Sequence, residues 1–295
     1  MSWRTICLTK RCKLEYQLGY LIIRGDEKLR IHLSEISNVI IESTAISLTA
    51  SLLNELNKHK VKVIFCDEQH NPWGEIMPYY GSYDASRSVR EQINWTSEIK
   101  DKLWQEIIRD KINKQAQNLE SFSHVKEAQL LRSYVPEVVE GDKTNREGHA
   151  AKVYFNTLFE DTFTRHSGGM VNAILDYGYS ILLAAFNREI TALGKLTQLG
   201  IWHCNTFNPF NLSSDLMEAF RPIVDYYVLK NDLHKSKTQE LSVETKHALL
   251  SILDLDVLFN GQTWKLNDVI KLYTKSMIHR LDDHTFETIP LISYG

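Results

Sequence analysis

The chain has 295 residues, of which 43% are hydrophobic and 24% are charged, and its formal net charge is −3. This composition is typical of a globular protein with a real core, built as one large domain or two ordinary ones. No apolar run approaches the roughly 20 residues that a membrane-spanning helix needs, and the N-terminus is charged where a signal peptide would be apolar. We therefore expect a cytoplasmic protein with no membrane partner. The small net charge neither requires nor excludes nucleic acid, because basic residues can still gather on one face.

The cysteines do not indicate a zinc module. They are Cys7, Cys12, Cys66 and Cys204, and none of them forms a CxxC pair. Free thiols in a reducing compartment are the expectation.

Residues 1–80 are predicted to form a small β-rich domain. Two long stretches, RTICLTKRCKLEYQLGYLIIRG and KLRIHLSEISNVIIES, are rich in strand-forming residues and are broken by polar turns. The leucines of residues 46–60 follow helical spacing, and VKVIFCD then predicts a buried strand. A turn-rich segment with two of the six prolines follows, so we place a linker at residues 81–95.

Residues 96–295 are predicted to form a larger helical domain. The first long helix carries an apolar stripe at helical spacing, which consists of Ile99, Leu103, Ile107, Ile112, Ala116 and Leu119. Charges of both signs occupy its other face, which we interpret as solvated rather than as a DNA-binding stripe. The pair Asn260-Gly261 indicates one β-hairpin late in the chain. Strands followed by helices predict an α+β fold.

Glu147 is the first candidate for chemistry. With Thr144 it matches a capping box, so one interpretation is a helix start only. Glu147 also shares its helix face with small and apolar residues, among them Ala150, Ala151 and Tyr154. A carboxylate on an inward face needs a partner, a proton or a metal ion.

The stretch GIWHCNTFNPFNLSSDLMEAFRP supplies the remaining candidates. His203 precedes Asp215 by twelve residues and Glu218 by fifteen. Taken singly, each has an ordinary interpretation: a histidine bonded to a backbone carbonyl, an acid that favours the helix N-terminus, and an i,i+3 ion pair between Glu218 and Arg221. Ser213 or Ser214 would then be the N-cap.

Taken together, three of these side chains suggest a metal site. Glu147, His203 and Glu218 come from separate segments of one helical domain. Two carboxylates and one imidazole suit Mg²⁺ or Mn²⁺ better than Zn²⁺ when no thiolate takes part.

Three motifs in this order, REGHAAKVYF, NAILDYGYSIL and GIWHCNTFNPFNLSSDLMEAFRP, resemble the metal-dependent integrase family of CRISPR adaptation. The N-terminal stretches LEYQLGYLIIRGDEKLRIHLSEISNVIIES, LLNELNKHKVKVIFCD and NPWGEIMP resemble the β-domain of that family. The resemblance covers essentially the whole chain and is closest to the type II-A branch, whose operon also encodes the RNA-guided effector nuclease.

The resemblance implies a β-sandwich-like N-terminal domain followed by an all-helical catalytic domain. It also implies a homodimer, two of which clasp a dimer of a small adaptation partner protein. The complex captures a short DNA duplex and inserts it at the leader–repeat end of the CRISPR array. The effector nuclease and an accessory ring that binds DNA ends are further partners of the type II-A system.

The resemblance also assigns the site residues. Glu147, His203 and Glu218 fall on the metal ligands, and Arg221 falls on a basic residue of the catalytic site. Asp215, Asn172 and Tyr177 fall on supporting positions. The interval from His203 to Glu218 is longer than in some relatives, which leaves the match of Asp215 less secure than that of Glu218.

The implied reaction is strand transfer by transesterification. The DNA 3′-hydroxyl is the nucleophile, so neither a nucleophilic side chain nor ATP is required. The metal ion would polarise the target phosphate, and Arg221 would neutralise developing charge. Two alternatives stay open: a metal-dependent endonuclease in which water attacks, and a non-catalytic scaffold that captures DNA.

Overall fold

The structure, a computed structural model, describes residues 4–68, 72–76, 84–159, 163–165, 168–235, 241–285 and 292–294. The chain divides into two compact units, Met1–Ser82 and Tyr83–Gly295. The first unit holds most of the strands and the second holds most of the helices. The fold is therefore α+β, with the strands concentrated at the N-terminal end.

Within the described residues, the N-terminal unit contains these elements: β1 (Arg4–Leu8), β2 (Lys13–Gln17), β3 (Tyr20–Arg24), β4 (Lys28–His32), β5 (Ile36–Ile41), β6 (Ser47–Leu48), α1 (Ala50–Lys58), β7 (Lys62–Cys66) and β8 (Pro72–Glu75). One sheet has the order β1-β5-β7-β8, and β5 pairs parallel with both of its neighbours. The other has the order β4-β3-β2-β6, with antiparallel pairs from β2 to β4.

The core of the N-terminal unit draws on both sheets and on α1. Strand β5 is buried at all six positions, as expected for a central parallel strand covered on both faces. Its Val39 belongs to one hydrophobic cluster with Leu14 and Leu21 of the second sheet and with Leu52 and Leu56 of α1. All five are fully buried, so the two sheets and the helix share one core.

The helices of the C-terminal unit, within the described residues, are α2 (Ala85–Ile93), α3 (Ser97–Ser121), α4 (Val125–Tyr134), α5 (Arg146–Phe159), α6 (Met170–Ala192), α7 (Asn211–Met217), α8 (Arg221–Lys230), α9 (Val243–Leu250) and α10 (Leu266–Asp283). Helix α3 packs against α4, α5 and α8. The apolar stripe predicted for α3 is confirmed, because all six of its residues are buried. Among the described residues, none of the helices combines the length and hydrophobicity that crossing a membrane requires.

The segment 81–95, predicted as a linker, contains helix α2. Its buried side chains are the polar Ser88 and Gln92, so no apolar stripe announces it. The Gln92 side chain donates to the backbone carbonyls of Leu196 at 2.8 Å and Leu199 at 3.0 Å. These polar bonds tie α2 to the C-terminal unit.

The expectation of an all-helical second domain is wrong. Strands β9 (Asp256–Phe259), β10 (Gln262–Lys265) and β11 (Ile292–Ser293) form an antiparallel sheet in the order β10-β9-β11. The predicted hairpin is confirmed at its turn, where Asn260 and Gly261 have φ of 49° and 78°. Positive φ at both central residues is what a type I′ hairpin turn requires.

Candidate metal centre

Glu147 lies in the first turn of α5, and its side chain does not cap the helix. Asp142 does so instead, because its carboxylate accepts hydrogen bonds from the backbone N–H of Arg146 at 2.9 Å and of Glu147 at 3.0 Å. Thr144, the predicted N-cap, donates its hydroxyl to the carbonyl of Glu137. The capping-box interpretation is therefore wrong, and the Glu147 carboxylate, which is 35% exposed, turns towards α3.

Glu218 lies in a 3-10 turn, Glu218–Phe220, between α7 and α8. Its side chain is only 7% exposed. The predicted ion pair with Arg221 is present, with Nη1 2.8 Å from Oε1. The Arg221 guanidinium also lies 4.3 Å from the ring centroid of Tyr179. Arg221 is therefore held between an acid and an aromatic face.

One lysine of α3 joins the two carboxylates. Lys111 Nζ lies 2.5 Å from Glu147 Oε1 and 2.5 Å from Glu218 Oε2, and its side chain is 6% exposed. The sequence alone does not single out this residue, because the charged positions of α3 are predicted to be solvated. A signal exists: Trp104, Ile108 and Lys111 follow one another at helical spacing, which places the lysine on a buried face.

The charges of this cluster keep one another ionised despite burial. Burial opposes ionisation of Glu218, but the positive charges of Arg221 and Lys111 lower its pKa to about 2. Burial likewise disfavours charged Lys111, but the negative charges of Glu218 and Glu147 outweigh it and raise its pKa. Glu218 and Lys111 are therefore both charged at neutral pH.

His203 lies in the loop between α6 and α7, and Asp215 of α7 holds that loop in place. The Asp215 carboxylate accepts hydrogen bonds from the backbone N–H of Ile201 at 2.6 Å, Trp202 at 3.0 Å and His203 at 3.1 Å. The His203 Nδ1 lies 2.5 Å from Asp215 Oδ1. Gly200 permits this close approach, because a Cβ atom there would lie 2.7 Å from Asp215 Oδ2.

Helix α7 begins at Asn211, earlier than the sequence predicts. The prediction that Ser213 or Ser214 is its N-cap is wrong. Ser213 is fully buried, and its hydroxyl donates to the Asn187 side chain of α6. The earlier start places Asp215 well inside the helix, where it is fully buried. Its carboxylate therefore positions the His203 loop, a role beyond favouring a helix N-terminus.

Helix α3 also supports the imidazole of His203. Trp202 stacks on Trp104 of α3 with centroids 5.7 Å apart, and the His203 ring meets Trp104 edge-on at the same distance. The hydrogen bond to Asp215 raises the pKa of His203, against the effect of burial, and the charges of Asp215 and Glu218 add to the rise. When Nδ1 donates to a carboxylate, Nε2 is the atom left to bind a ligand.

The residues present fit a divalent cation. The Lys111 ammonium already sits between the Glu147 and Glu218 carboxylates, so this pair is spaced to share a positive charge. Both carboxylates also act on His203, whose pKa they help to raise. Among the described residues, the ligand atoms of Glu147, His203 and Glu218 do not all lie within 4.8 Å of one another. The imidazole therefore lies near the two carboxylates, but the three groups do not converge on one point.

The structure does not place Asn172 or Tyr177 among the residues that line the cavity beside this cluster. The Asn172 side chain accepts from Arg165 at 2.5 Å and donates to the carbonyl of Gly168 at 2.9 Å, and both of these partners precede α6 in the chain. The buried Tyr177 ring faces Lys246 of α9, with Nζ 5.8 Å from the ring centroid.

Tyr179, two residues after Tyr177, faces the cluster instead, because positions i and i+2 point to different sides of a helix. Its hydroxyl donates to Asp225 at 2.5 Å. Burial raises the pKa of Asp225 to about 6, although the bond from Tyr179 and the charge of Arg221 act against the rise. The adjoining cavity has a volume of about 430 Å³, and its lining includes Lys111, Glu147, Lys152, Phe155, Arg165 and Arg221.

A family-wide sequence pattern and a relative of known family agree on one family. The sequence pattern described as "CRISPR associated protein Cas1" matches residues 6–251. The chain is 36% identical over 261 residues to "CRISPR-associated endonuclease Cas1" of Neisseria meningitidis serogroup C, over 85% of this chain and 86% of that protein.

Two solved structures share the fold. A casposase bound to integration product has a TM-score of 0.78 and 21% identity, and the match covers 97% of this chain and 92% of that one. A Cas6-RT-Cas1–Cas2 complex has a TM-score of 0.74 and 18% identity, with 97% of this chain and 36% of that one covered. The family pattern spans most of the sequence and the Neisseria relative is more than a third identical, so the chain belongs to the CRISPR associated protein Cas1 family.

Proposed function

We propose that the chain is a metal-dependent DNA integrase of CRISPR adaptation. It captures a short duplex and joins its 3′-hydroxyl ends to the leader–repeat end of the array by transesterification. One observation carries the proposal: two carboxylates from separate elements share one positive charge beside an imidazole that a buried acid holds in place. Membership of the Cas1 family and a casposase among the fold neighbours support it.

We propose Glu147, His203 and Glu218 as the ligands of Mg²⁺ or Mn²⁺. A bound divalent ion would supply Lewis-acid polarisation of the target phosphate and stabilise the leaving oxygen. Asp215 fixes the imidazole so that Nε2 is the ligand atom. Arg221 holds the Glu218 carboxylate and offers a positive charge beside it, which suits a phosphate that gains charge in the transition state.

The cavity beside the cluster suits a DNA strand end. Its lining combines the cations Lys152 and Arg165 with the aromatic rings of Phe155 and Tyr179. Cationic side chains neutralise phosphates, and aromatic faces stack on unpaired bases. We propose that this cavity holds the last nucleotides of the 3′ end next to the Glu147 carboxylate.

We propose that the chain works as a homodimer with a small dimeric adaptation partner protein, in the cytoplasm. A Cas6-RT-Cas1–Cas2 complex among the fold neighbours supports a partner of that kind. We assign dimerisation to the N-terminal unit, where two sheets that share one core suit the β-sandwich-like domain of the proposal. The type II-A branch, with its effector nuclease and end-binding ring as further partners, remains our assignment from sequence motifs.

A strand-transfer assay tests the proposal. Labelled short duplex and a leader–repeat plasmid are mixed with the protein, with and without its small partner, in Mg²⁺, Mn²⁺ or chelator. We expect metal-dependent joined products that His203→Ala eliminates. The surface change Asp232→Asn, which removes an exposed ion pair with Lys235, is the matched control and should leave joining unchanged.

Other products would favour the alternatives. The same ligands serve hydrolysis if water replaces the 3′-hydroxyl, so cut strands without joined strands indicate an endonuclease. DNA binding with no metal-dependent chemistry under any condition indicates a scaffold.

A further inference from the structure

Lys111 is a buried cation that lies next to two acidic side chains. Its side chain is 6% exposed, and both of its close partners are the carboxylates proposed as metal ligands. Lysine is almost never fully buried unless it is paired. The pairing here uses one oxygen from each of Glu147 and Glu218, so the ammonium stands between them rather than beside one of them.

The place that Lys111 Nζ occupies is the place a shared metal ion would need. Each of the two contacts is 2.5 Å, so the two carboxylate oxygens are no farther apart than twice that distance. Oxygen ligands of Mg²⁺ lie about 2.0–2.1 Å from the ion. Both cations need the space between these two oxygens, so the pair can bracket an ammonium or a metal ion but not both at once.

The charge balance points the same way. Glu147 and Glu218 face Lys111 and Arg221, which gives two negative and two positive groups in contact. A divalent cation added to this neutral set meets repulsion from both basic groups. Arg221 contacts Oε1 of Glu218. Lys111 contacts the other oxygen, Oε2, and lies between the two proposed ligands, so Lys111 is the group that has to move.

Helix α3 gives Lys111 somewhere to go. Lys111 and Gln115, one turn later on α3, both line the cavity of about 430 Å³, so the long lysine side chain can swing from the carboxylates into that space. An ammonium there would face the phosphates of a bound strand, which would restore charge balance once a metal ion is in place.

We propose that Lys111 is a built-in counter-cation that holds the metal-free site together and competes with the metal ion for Glu147 and Glu218. Metal binding then displaces the ammonium into the cavity, where it pairs with DNA phosphate. The inference rests on the proposed function, because it takes Glu147 and Glu218 as metal ligands. Lys111 is a positioning residue in this account, since it acts on the metal through the carboxylates.

The test measures Mn²⁺ binding to the full-length protein by isothermal titration and by the loss of the free Mn²⁺ EPR signal. Lys111→Met should bind Mn²⁺ at least about tenfold more tightly than wild type, since each factor of ten corresponds to about 1.4 kcal/mol of removed competition. In chelator, Lys111→Met should melt at a lower temperature than wild type. Saturating Mn²⁺ should raise the melting temperature of Lys111→Met by more than it raises that of wild type.

Lys114→Met is the matched control. Lys114 lies on the same helix, is also buried, and bonds Asp110 at 2.6 Å and the carbonyl of Ala219 at 2.9 Å. Its loss should lower the melting temperature in chelator without tightening Mn²⁺ binding. A general destabilisation of α3 would change the Mn²⁺ affinity and the melting temperature of both variants in the same way.

The outcomes separate this inference from the proposed function. Equal or weaker Mn²⁺ binding by Lys111→Met, with wild-type binding that Glu147→Gln still weakens, overturns the competition and leaves the metal site standing. If Glu147→Gln has no effect on Mn²⁺ binding by wild type, the metal site and the inference fail together.

Wild type supplies a second measurement in case Lys111→Met does not fold. Reductive methylation read by mass spectrometry should reach Lys111 faster with Mn²⁺ than with chelator, while Lys114 stays equally protected. The same rate at Lys111 in both conditions contradicts the displacement.

Discussion

Asp215 holds His203 through both its backbone and its ring: the carboxylate accepts from the His203 N–H at 3.1 Å and lies 2.5 Å from Nδ1. The acid is fully buried, whereas the histidine side chain is 43% exposed. The loop is therefore fixed from its buried side, and Nε2 is the ring nitrogen that does not bond this carboxylate. A residue outside the proposed ligand set thus fixes the orientation of a proposed metal ligand.

Asp215→Asn should disable the site without removing any of the three proposed ligands. An amide cannot accept all of the hydrogen bonds that the carboxylate accepts, so buried N–H groups of the loop lose their partners. We expect the free energy of unfolding to fall by about 2–4 kcal/mol, since each unsatisfied buried donor costs about 1–3 kcal/mol. Urea unfolding measures this, and strand transfer should fall with it.

The control for Asp215→Asn is Asp232→Asn, whose carboxylate is 65% exposed. Its unfolding free energy should stay within about 0.5 kcal/mol of wild type. Full strand transfer by Asp215→Asn would show that the loop does not depend on this acid.

Substitutions of the two glutamates should have different effects on protein stability and the same effect on activity. Glu218→Gln leaves Lys111 and Arg221 buried without their shared acid, so we expect a loss of about 3–5 kcal/mol in the metal-free protein. Glu147 is 35% exposed, so Glu147→Gln should cost no more than about 1 kcal/mol. Both variants should lose strand transfer. Equal stabilities by urea unfolding would argue against the buried cluster.

The stability that Glu218 contributes should also depend on pH in a defined direction. Its pKa is lowered from 4.5 to about 2, so its contribution is present above pH 4.5 and is lost as the pH falls towards 2. The difference between wild type and Glu218→Gln in chelator should therefore shrink over that window. A difference that stays constant from pH 5 to pH 2 would contradict the assignment.

The stability that His203 contributes should depend on pH in the opposite direction. Its pKa is raised above 6.5, chiefly by the hydrogen bond to Asp215, so the pairing stabilises the metal-free protein below pH 6.5 and that contribution is lost as the pH rises through the raised pKa. Metal binding needs the neutral imidazole, so Mn²⁺ affinity should rise over the same window. Calorimetry at several pH values measures both, and Mn²⁺ affinity that is independent of pH would count against His203 as a ligand.

Asp225 should produce a third pH effect. Burial raises its pKa from 3.8 to about 6, so the protein is most stable with respect to this group below pH 3.8 and loses that contribution as the pH rises through 6. The loss amounts to about 3 kcal/mol. Asp225→Asn should remove this part of the pH dependence, as measured by urea unfolding of both proteins between pH 4 and pH 7. Parallel curves for the two proteins would refute the raised pKa.

The sequence predicted the parts of this molecule that depend on local pattern. The α3 stripe follows from the helical period alone. The hairpin follows from Asn260-Gly261, because few other residue pairs readily adopt the positive φ that its turn has at both positions. Helix α2 was missed because polar side chains such as Gln92 anchor it. A pattern of apolar residues carries no trace of such bonds.

The residues of the candidate site also fall into two groups: those that a sequence motif reveals and those that only tertiary packing brings into the site. Motifs pointed to Glu147, His203 and Glu218, but no single-sequence pattern says which residue lies between two acids from distant segments. Lys111 is 36 residues from Glu147 and 107 from Glu218, so the bridge depends on tertiary packing. No motif singles out Tyr179 for a related reason, since the side of α6 that faces the cluster is set by the elements packed against it.

The most direct test of the central claim is the position of Mn²⁺ in crystals of the protein, located by anomalous scattering at the manganese edge. We expect a peak within coordination distance of Glu147, His203 Nε2 and Glu218, in protein that also performs strand transfer in Mn²⁺. A Mn²⁺ peak elsewhere, with none at these three residues in metal-saturated and active protein, would contradict it.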